Sequence, residues 1–124
     1  TINHRVSFVL SDWLDAIKFN KFDIIIANPP YILSKDLERL PLEVSYNDPL
    51  IALDGGIDGL THYKKIVSNL QNKNNDEAKF LIMEINEDMA KELFQLLTCV
   101  GFERKNISLY NDLSSRKRVI SCRF

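Results

Sequence analysis

The sequence is poor in the residues that mark special chain classes. Cysteine occurs twice in 124 residues, at Cys99 and Cys122, in neither a CxxC pair nor a disulfide framework. A reducing, cytoplasmic setting is therefore expected. Glycine and proline number four each, which excludes collagen-like and low-complexity chains. No apolar run approaches the roughly 20 residues that span a bilayer. The opening Thr-Ile-Asn-His-Arg has no signal-peptide core, so no membrane partner is expected. Neither sign of charge dominates: 16 basic residues face 17 acidic ones, a formal net charge of −1. Such a chain has no long-range field for gathering nucleic acid, so direct nucleic-acid binding is not expected, although a local basic patch remains compatible with it. What is there, 45% hydrophobic and 27% charged residues, describes one soluble globular domain with a radius of gyration of about 14 Å.

The apolar periods alternate between those of strands and helices. Val6–Leu10 reads as a short strand, and Asp12–Phe19 as a short helix before a turn at Asn20-Lys21. Phe22-Asp23-Ile24-Ile25-Ile26-Ala27 is the clearest strand, and its unbroken β-branched run predicts burial on both faces, as in a parallel sheet. Asn28-Pro29-Pro30 ends it, because two residues without amide hydrogens cannot extend a ladder. Residues 32–57 keep no sustained period and predict a long irregular connection. Leu60, Tyr63, Val67 and Leu70 then recur at helical spacing, with Asp58 or Thr61 as cap. After a polar stretch from Gln71 to Glu77, Lys79–Ile85 reads as a second buried strand. Asn86 caps a helix with the stripe Met89, Leu93, Leu96, Leu97 and Val100, and Gly101 stands where a C′ glycine belongs. Phe102–Tyr110 and Lys117–Phe124 form two last strands, antiparallel at an edge, around a turn at Asn111–Ser115. The alternation defines an α/β sheet in one domain over residues 1–124, without internal repeats.

In open α/β sheets ligands bind at the carboxyl ends of the strands. Asn28-Pro29-Pro30-Tyr31 stands at such an end. Each proline drives the residue before it out of the helical region, so this turn is stiff and extended. From these four residues alone two readings stand. One is a Pro-Pro terminator closing a buried strand. The other is a clamp in which the Asn28 carboxamide oxygen and the Pro29 carbonyl accept both hydrogens of a planar NH₂ group while Tyr31 stacks on it. An amide nitrogen is a weak nucleophile because its lone pair is delocalised; holding its hydrogens aims that lone pair at an electrophile.

The wider pattern is more specific. FDIIIANPPYI at 22–32, SDWL at 11–14, LPLEV at 40–44, PLIALDGGIDGLTHYKKIV at 49–67 and DLSSRKRVI at 112–120 together resemble the peptide-chain release factor glutamine methyltransferases, the HemK-like family. The LDGGIDGL segment separates this family from adenine and RNA-base methyltransferases, which also carry NPPY. The resemblance covers nearly the whole chain. It implies transfer of a methyl group from S-adenosylmethionine to the side-chain amide nitrogen of the glutamine in a release factor's Gly-Gly-Gln tripeptide, by in-line displacement from the sulfonium. Asn28 and Pro29 would bind that amide, Pro30 would shape the turn and Tyr31 would pack on the glutamine. Trp13 matches the position beside the donor's adenine, Asn28 also borders its methionine end, and Asp12 is a further donor contact; no metal is implied.

The implied fold is a class I S-adenosylmethionine-dependent methyltransferase (Rossmann-like) sheet of order 3-2-1-4-5-7-6. This chain would enter it at strand three and lack the first two strands, together with the glycine-rich donor loop and the acidic residue that holds the ribose. Asn86 and Met89 stand where the family usually has glycine and then glutamine, and Ser115 where glycine is common. A sheet interrupted in this way exposes the FDIIIA edge and predicts self-association, or insertion of Ile2–Leu10 beside that edge. Two alternatives are carried forward: a nucleic-acid amino-group (adenine) methyltransferase using the same clamp, and a non-catalytic truncated remnant.

The remaining candidates read as structural. Asp54, Asp58 and His62 lack a completing metal ligand, which leaves an N-cap aspartate and an exposed histidine. Gly55, Gly56 and Gly59 precede no Gly-Lys-Ser/Thr and mark a turn before a helix; the resemblance implies that this loop helps to shape the release-factor groove. His4 reads as a surface residue. Arg104, Lys105, Arg116, Lys117, Arg118 and Arg123 read as a solvated edge, and Cys99 and Cys122 as small core residues. Without the resemblance, Trp13 reads as a core aromatic.

Overall fold

The computed structural model describes residues 5–18, 22–71 and 80–124. Four strands, β1 (Ile24–Ala27), β2 (Phe80–Glu84), β3 (Ile107–Asn111) and β4 (Lys117–Arg123), form one sheet in the order β1-β2-β4-β3. β1 and β2 are parallel, with Ile24 opposite Phe80 and Ala27 opposite Met83. β4 runs antiparallel between β2 and β3. This is the order 4-5-7-6 that the resemblance implies, with its antiparallel end.

Three helices, α1 (Leu42–Asn47), α2 (Thr61–Gln71) and α3 (Ala90–Cys99), lie in the connections. The long helices form where the apolar spacing placed them. Tyr63, Ile66, Val67 and Leu70 of α2 and Leu93 and Leu97 of α3 are buried against Ile25, Leu81, Met83, Ile120 and Cys122 of the sheet. Each fully buried large aliphatic side chain contributes about 1.5–3 kcal/mol of transfer free energy. Asp58 Oδ1 accepts the Leu60 amide at 3.0 Å just ahead of α2. Asn86 accepts the Asp88 amide at 3.2 Å and opens a 3₁₀ turn, Glu87–Met89, that leads into α3. α3 ends in a Schellman pair, Gly101 N–H to the Thr98 carbonyl and Phe102 N–H to the Leu97 carbonyl. Gly101 takes a φ of +108°, which glycine alone adopts without strain.

Several expectations are corrected. Val6–Leu10 forms no strand; Phe8 is 97% exposed and Leu10 fully so, because nothing among the described residues pairs with them. Insertion beside β1 is likewise absent for residues 5–10, and Ile2–His4 lie outside the described residues. Asp12–Ala16 is a turn rather than a helix, held by Asp15 N–H to the Asp12 carbonyl at 3.2 Å. Its helical path is broken at Trp13, whose φ is +53°. Phe19, Asn20 and Lys21 lie outside the described residues, as does the polar stretch beyond Gln71 together with Lys79. Residues 32–57 are not irregular throughout: a 3₁₀ helix (Ser34–Arg39), α1 and a 3₁₀ turn (Leu50–Ala52) occupy them. Pro41 and Pro49 sit at the caps of the latter two, where a missing amide hydrogen removes no internal bond.

The β1 run is buried on one face only. Ile25 is inside, whereas Ile24 is 52% and Ile26 75% exposed. Helices pack on one side of the sheet among the described residues, so the β-branched run reports strand propensity here and not two-sided burial. Cys99 is exposed, against expectation, because it falls beside the apolar stripe of α3. Cys122 is buried, and that burial pushes its thiol up to about 12. Local partners occupy part of the basic edge: Lys105 pairs with Glu103 at 2.7 Å, Arg118 with Asp112 at 3.5 Å, and Arg104 lies over the Phe94 ring. Among the described residues no helix is long and apolar enough to cross a membrane.

Candidate functional site

Because β1 and β2 are parallel, with Ala27 opposite Met83, Asn28 just beyond β1 and Glu84 at the last position of β2 lie at the same end of the sheet. A cleft of about 180 Å³ opens there between Asn28–Ile32, Leu53 and Glu84. Pro29 is fully buried and anchors the turn, while Asn28 is exposed and its carboxamide makes no hydrogen bond among the described residues. Pro30 and Tyr31 are half-buried, with Tyr31 packed against the core. All four residues named from the sequence thus share one cleft, with one acceptor left open to a ligand.

The loop carrying Gly55, Gly56 and Gly59 holds this turn from behind. Ile32 N–H donates to the Leu53 carbonyl at 3.1 Å, Gly55 N–H to the Ile32 carbonyl at 2.7 Å, and Ser34 N–H to the Gly56 carbonyl at 3.0 Å. A Cβ at Gly55 would lie 2.7 Å from the Tyr31 backbone, and one at Gly59, whose φ is +71°, would lie 2.8 Å from the Tyr31 carbonyl oxygen. Only glycine allows so close an approach. The Ser34 hydroxyl, 2.7 Å away, and the Gly56 amide, at 2.9 Å, both donate to Asp54 Oδ1 and hold its carboxyl below the usual range. The two most informative sequence segments, NPPY and LDGGIDGL, are therefore one packed unit.

Sequence reasoning missed that Glu84 lines the cleft and that Tyr63 ties α2 to it. The fully buried Tyr63 donates its hydroxyl to the Glu84 carbonyl at 2.8 Å, tying α2 to the end of β2. Burial first, then the nearness of Tyr31 and Glu84, raises its phenol well above the ordinary range. The carboxyl-end rule applied to the second strand would have found Glu84.

Trp13 and Asp12 do not line the cleft. Their turn lies on α2, where Trp13 Nε1 donates to His62 Nδ1 at 3.0 Å and Asp12 forms an ion pair with Lys65. His62 is half-buried rather than exposed, and its Nε2 meets the Asp54 carbonyl oxygen at 2.9 Å. Both ring nitrogens are thereby engaged. Asp58 is paired with Lys64. A second, wider cleft of about 520 Å³, also bounded by Tyr31, is lined by Leu33, Leu60 and Met89 together with the acidic residues Asp36, Asp58, Asp88 and Glu92.

This fold, a parallel pair continued by an antiparallel pair with a polar turn at the carboxyl end of β1, is part of a class I methyltransferase sheet. A structure of the E. cuniculi Mtq2–Trm112 complex, described as responsible for the methylation of the eRF1 translation termination factor, superposes with a TM-score of 0.59. That match has 20% identity and covers 93% of this chain and 59% of that one. Residues 2–51 match the family model described as Eco57I restriction-modification methylase.

In sequence the chain is 32% identical over 95% of its length to the release factor glutamine methyltransferase of Prochlorococcus marinus, covering 40% of that protein. It is 34% identical over 98% of its length to that of Rhodospirillum rubrum, covering 36%, and 34% identical over 96% to a bifunctional methyltransferase of Rickettsia bellii, covering 21%. The chain is a relative of the release factor glutamine methyltransferases, and it spans about 40% of the length of those it matches.

Proposed function

We propose that the chain carries the acceptor-binding part of an S-adenosylmethionine-dependent methyltransferase that modifies the side-chain amide nitrogen of the Gly-Gly-Gln glutamine in peptide chain release factors. The observation that carries this reading is the braced turn at Asn28–Tyr31. It offers an exposed, unengaged carboxamide beside a buried proline, fixed from behind by Gly55 and Gly59, where an added Cβ would crowd the Tyr31 backbone. The Asn28 oxygen and the Pro29 carbonyl accept the two hydrogens of the substrate amide, and Tyr31 bounds its plane. That grip orients the lone pair, and the proton that the amide nitrogen sheds on methylation leaves to solvent through the cleft, which Glu84 also lines.

When bound, S-adenosylmethionine supplies an electrophilic methyl group on a sulfonium. Of the residues that the resemblance assigns to such a donor, Asn28 borders the cleft, whereas Trp13 and Asp12 lie against α2 outside it.

The test is methyl transfer from labelled S-adenosylmethionine to a release factor, compared with Asn28→Ala. Asn28 is exposed, so the variant should keep its stability within about 0.5 kcal/mol. Loss of one preorganised acceptor should reduce turnover roughly 10²–10³-fold. Equal turnover by both proteins would remove Asn28 from the site. The match of residues 2–51 to a restriction-modification methylase family favours a second reading, an adenine-type amino group as acceptor. Label on DNA or RNA and none on release factor would establish it. Label on neither, even when the chain is assayed joined to the missing part of a relative's methyltransferase domain, would leave it a non-catalytic remnant.

A further inference from the structure

We propose that His62 is a positioning residue that locks the Trp13 ring and couples it to the loop bracing the Asn28–Tyr31 turn. The inference rests on the reading of Trp13 as a contact of the methyl donor. The hydrogen bonding itself leaves no choice of tautomer. An indole N–H only donates, so the His62 Nδ1 that it meets at 3.0 Å carries no hydrogen. Nε2 then carries it, and the atom 2.9 Å away is the Asp54 carbonyl oxygen, which only accepts. Both contacts demand the same neutral imidazole, so one ring spans two segments that are distant in sequence.

What this ring restrains needs restraint. Trp13 takes a φ of +53°, in the left-handed region that a bulky aromatic residue enters only when its surroundings enforce it. Its turn is fastened to α2 at three points: Trp13 to His62, Asp12 to Lys65, and Asp15 to Asn69 at 2.7 Å. His62, Lys65 and Asn69 are spaced i, i+3, i+7, one stripe of the helix. The Asp12–Lys65 pair is exposed on both sides and holds weakly. The half-buried His62 ring, tilted at 55° with its centroid 5.4 Å from that of Trp13, therefore sets the orientation of the indole.

On its other side the chain of contacts reaches the acceptor turn. Asp54 follows Leu53 and precedes Gly55, which respectively accept from and donate to Ile32, and its carboxylate collects Ser34 and Gly56. A shift of His62 thus moves the donor-side aromatic and the brace of the acceptor turn together.

The chain has a single tryptophan, so its indole N–H gives one resonance in a ¹H–¹⁵N spectrum. We expect that resonance to be slow to exchange in the parent chain and to move to the free-indole position in His62→Leu. Affinity for S-adenosylmethionine should then fall about tenfold, the loss of one hydrogen bond's orientation. His62→Gln, whose carbonyl accepts from the indole while its amide donates to Asp54, should restore most of both. Should His62→Leu fail to fold, Trp13→Phe removes the N–H but keeps a ring, and should show the same loss of affinity. An indole signal unchanged by His62→Leu overturns the contact. A shifted signal with unchanged affinity overturns the positioning role. A parent chain that takes up no S-adenosylmethionine, while its indole still answers to His62→Leu, overturns the donor reading and this role with it, and leaves the hydrogen bond standing.

Discussion

The Tyr31 backbone runs so close to Gly55 that a methyl group on the glycine would stand 2.7 Å from two of its atoms. Neither partner is the far end of a flexible side chain, so one backbone must give way. Gly55→Ala should cost about 1–3 kcal/mol of stability, the usual range for an overpacked site. It should also displace the turn that bears Asn28. Urea unfolding of parent and variant measures the first effect and methyl transfer the second. An unchanged midpoint would mean that the loop does not brace the turn.

The turn between β3 and β4 contains a residue in an expensive conformation. Ser115 takes a φ of +62°, and Ser115 N–H donates to the Asp112 carbonyl at 3.0 Å. A residue with a Cβ pays roughly 1–2 kcal/mol in that region, which glycine does not. Ser115→Gly should therefore raise stability by about 1 kcal/mol, less what the more flexible unfolded chain takes back. The readout is a higher urea midpoint at constant slope. No gain would show that the serine is not strained there.

Acid should loosen the same turn. Asp112 Oδ1 accepts the Ser114 amide at 2.8 Å and the Arg116 amide at 3.0 Å, and these bonds, led by Arg116, hold its carboxyl below the ordinary 3.8. A depressed folded-state value contributes stability that is present above the unfolded value and lost as the pH falls through the folded one. Stability should thus decline below about pH 4. Asp112→Asn, which keeps an acceptor but cannot titrate, should show a shallower decline. Parallel acid profiles for the two proteins would exclude Asp112 as a source.

The open rim of β1 predicts association. β1 pairs with β2 alone among the described residues, and Ile24 and Ile26 project from its uncovered face. Unpaired strand edges beside apolar side chains recruit further strands. Sedimentation velocity should show an average mass that rises with concentration, and Ile26→Lys should suppress the rise. Identical profiles for parent and variant would eliminate the edge as the contact.

Much of the architecture was legible in the sequence because it is written in short periods. Leu93 and Leu97, or Tyr63, Val67 and Leu70, declare a helix face within a few residues, and Asn86 and Gly101 mark helix ends by local chemistry alone. That Asn28, Pro29, Pro30 and Tyr31 form one stiff turn at a strand end was legible for a similar reason, since two prolines after a β-branched run leave little conformational choice. What failed depended on distant partners. Val6–Leu10 has the composition of a strand, but a strand exists only where another pairs with it. Ile24 and Ile26 look identical to Ile25 in sequence, yet only Ile25 meets a helix. The bond from Trp13 to His62 joins residues 49 positions apart, and no local pattern announces it.

The Asn28–Tyr31 turn follows β1, whose outer edge pairs with no other strand among the described residues. By thermodynamic linkage, a partner whose binding along that rim stiffened the turn would itself be held more tightly, by the same factor, when the turn is occupied. Under the proposed function, binding at that margin and occupation of the Asn28–Tyr31 turn would then be a single equilibrium.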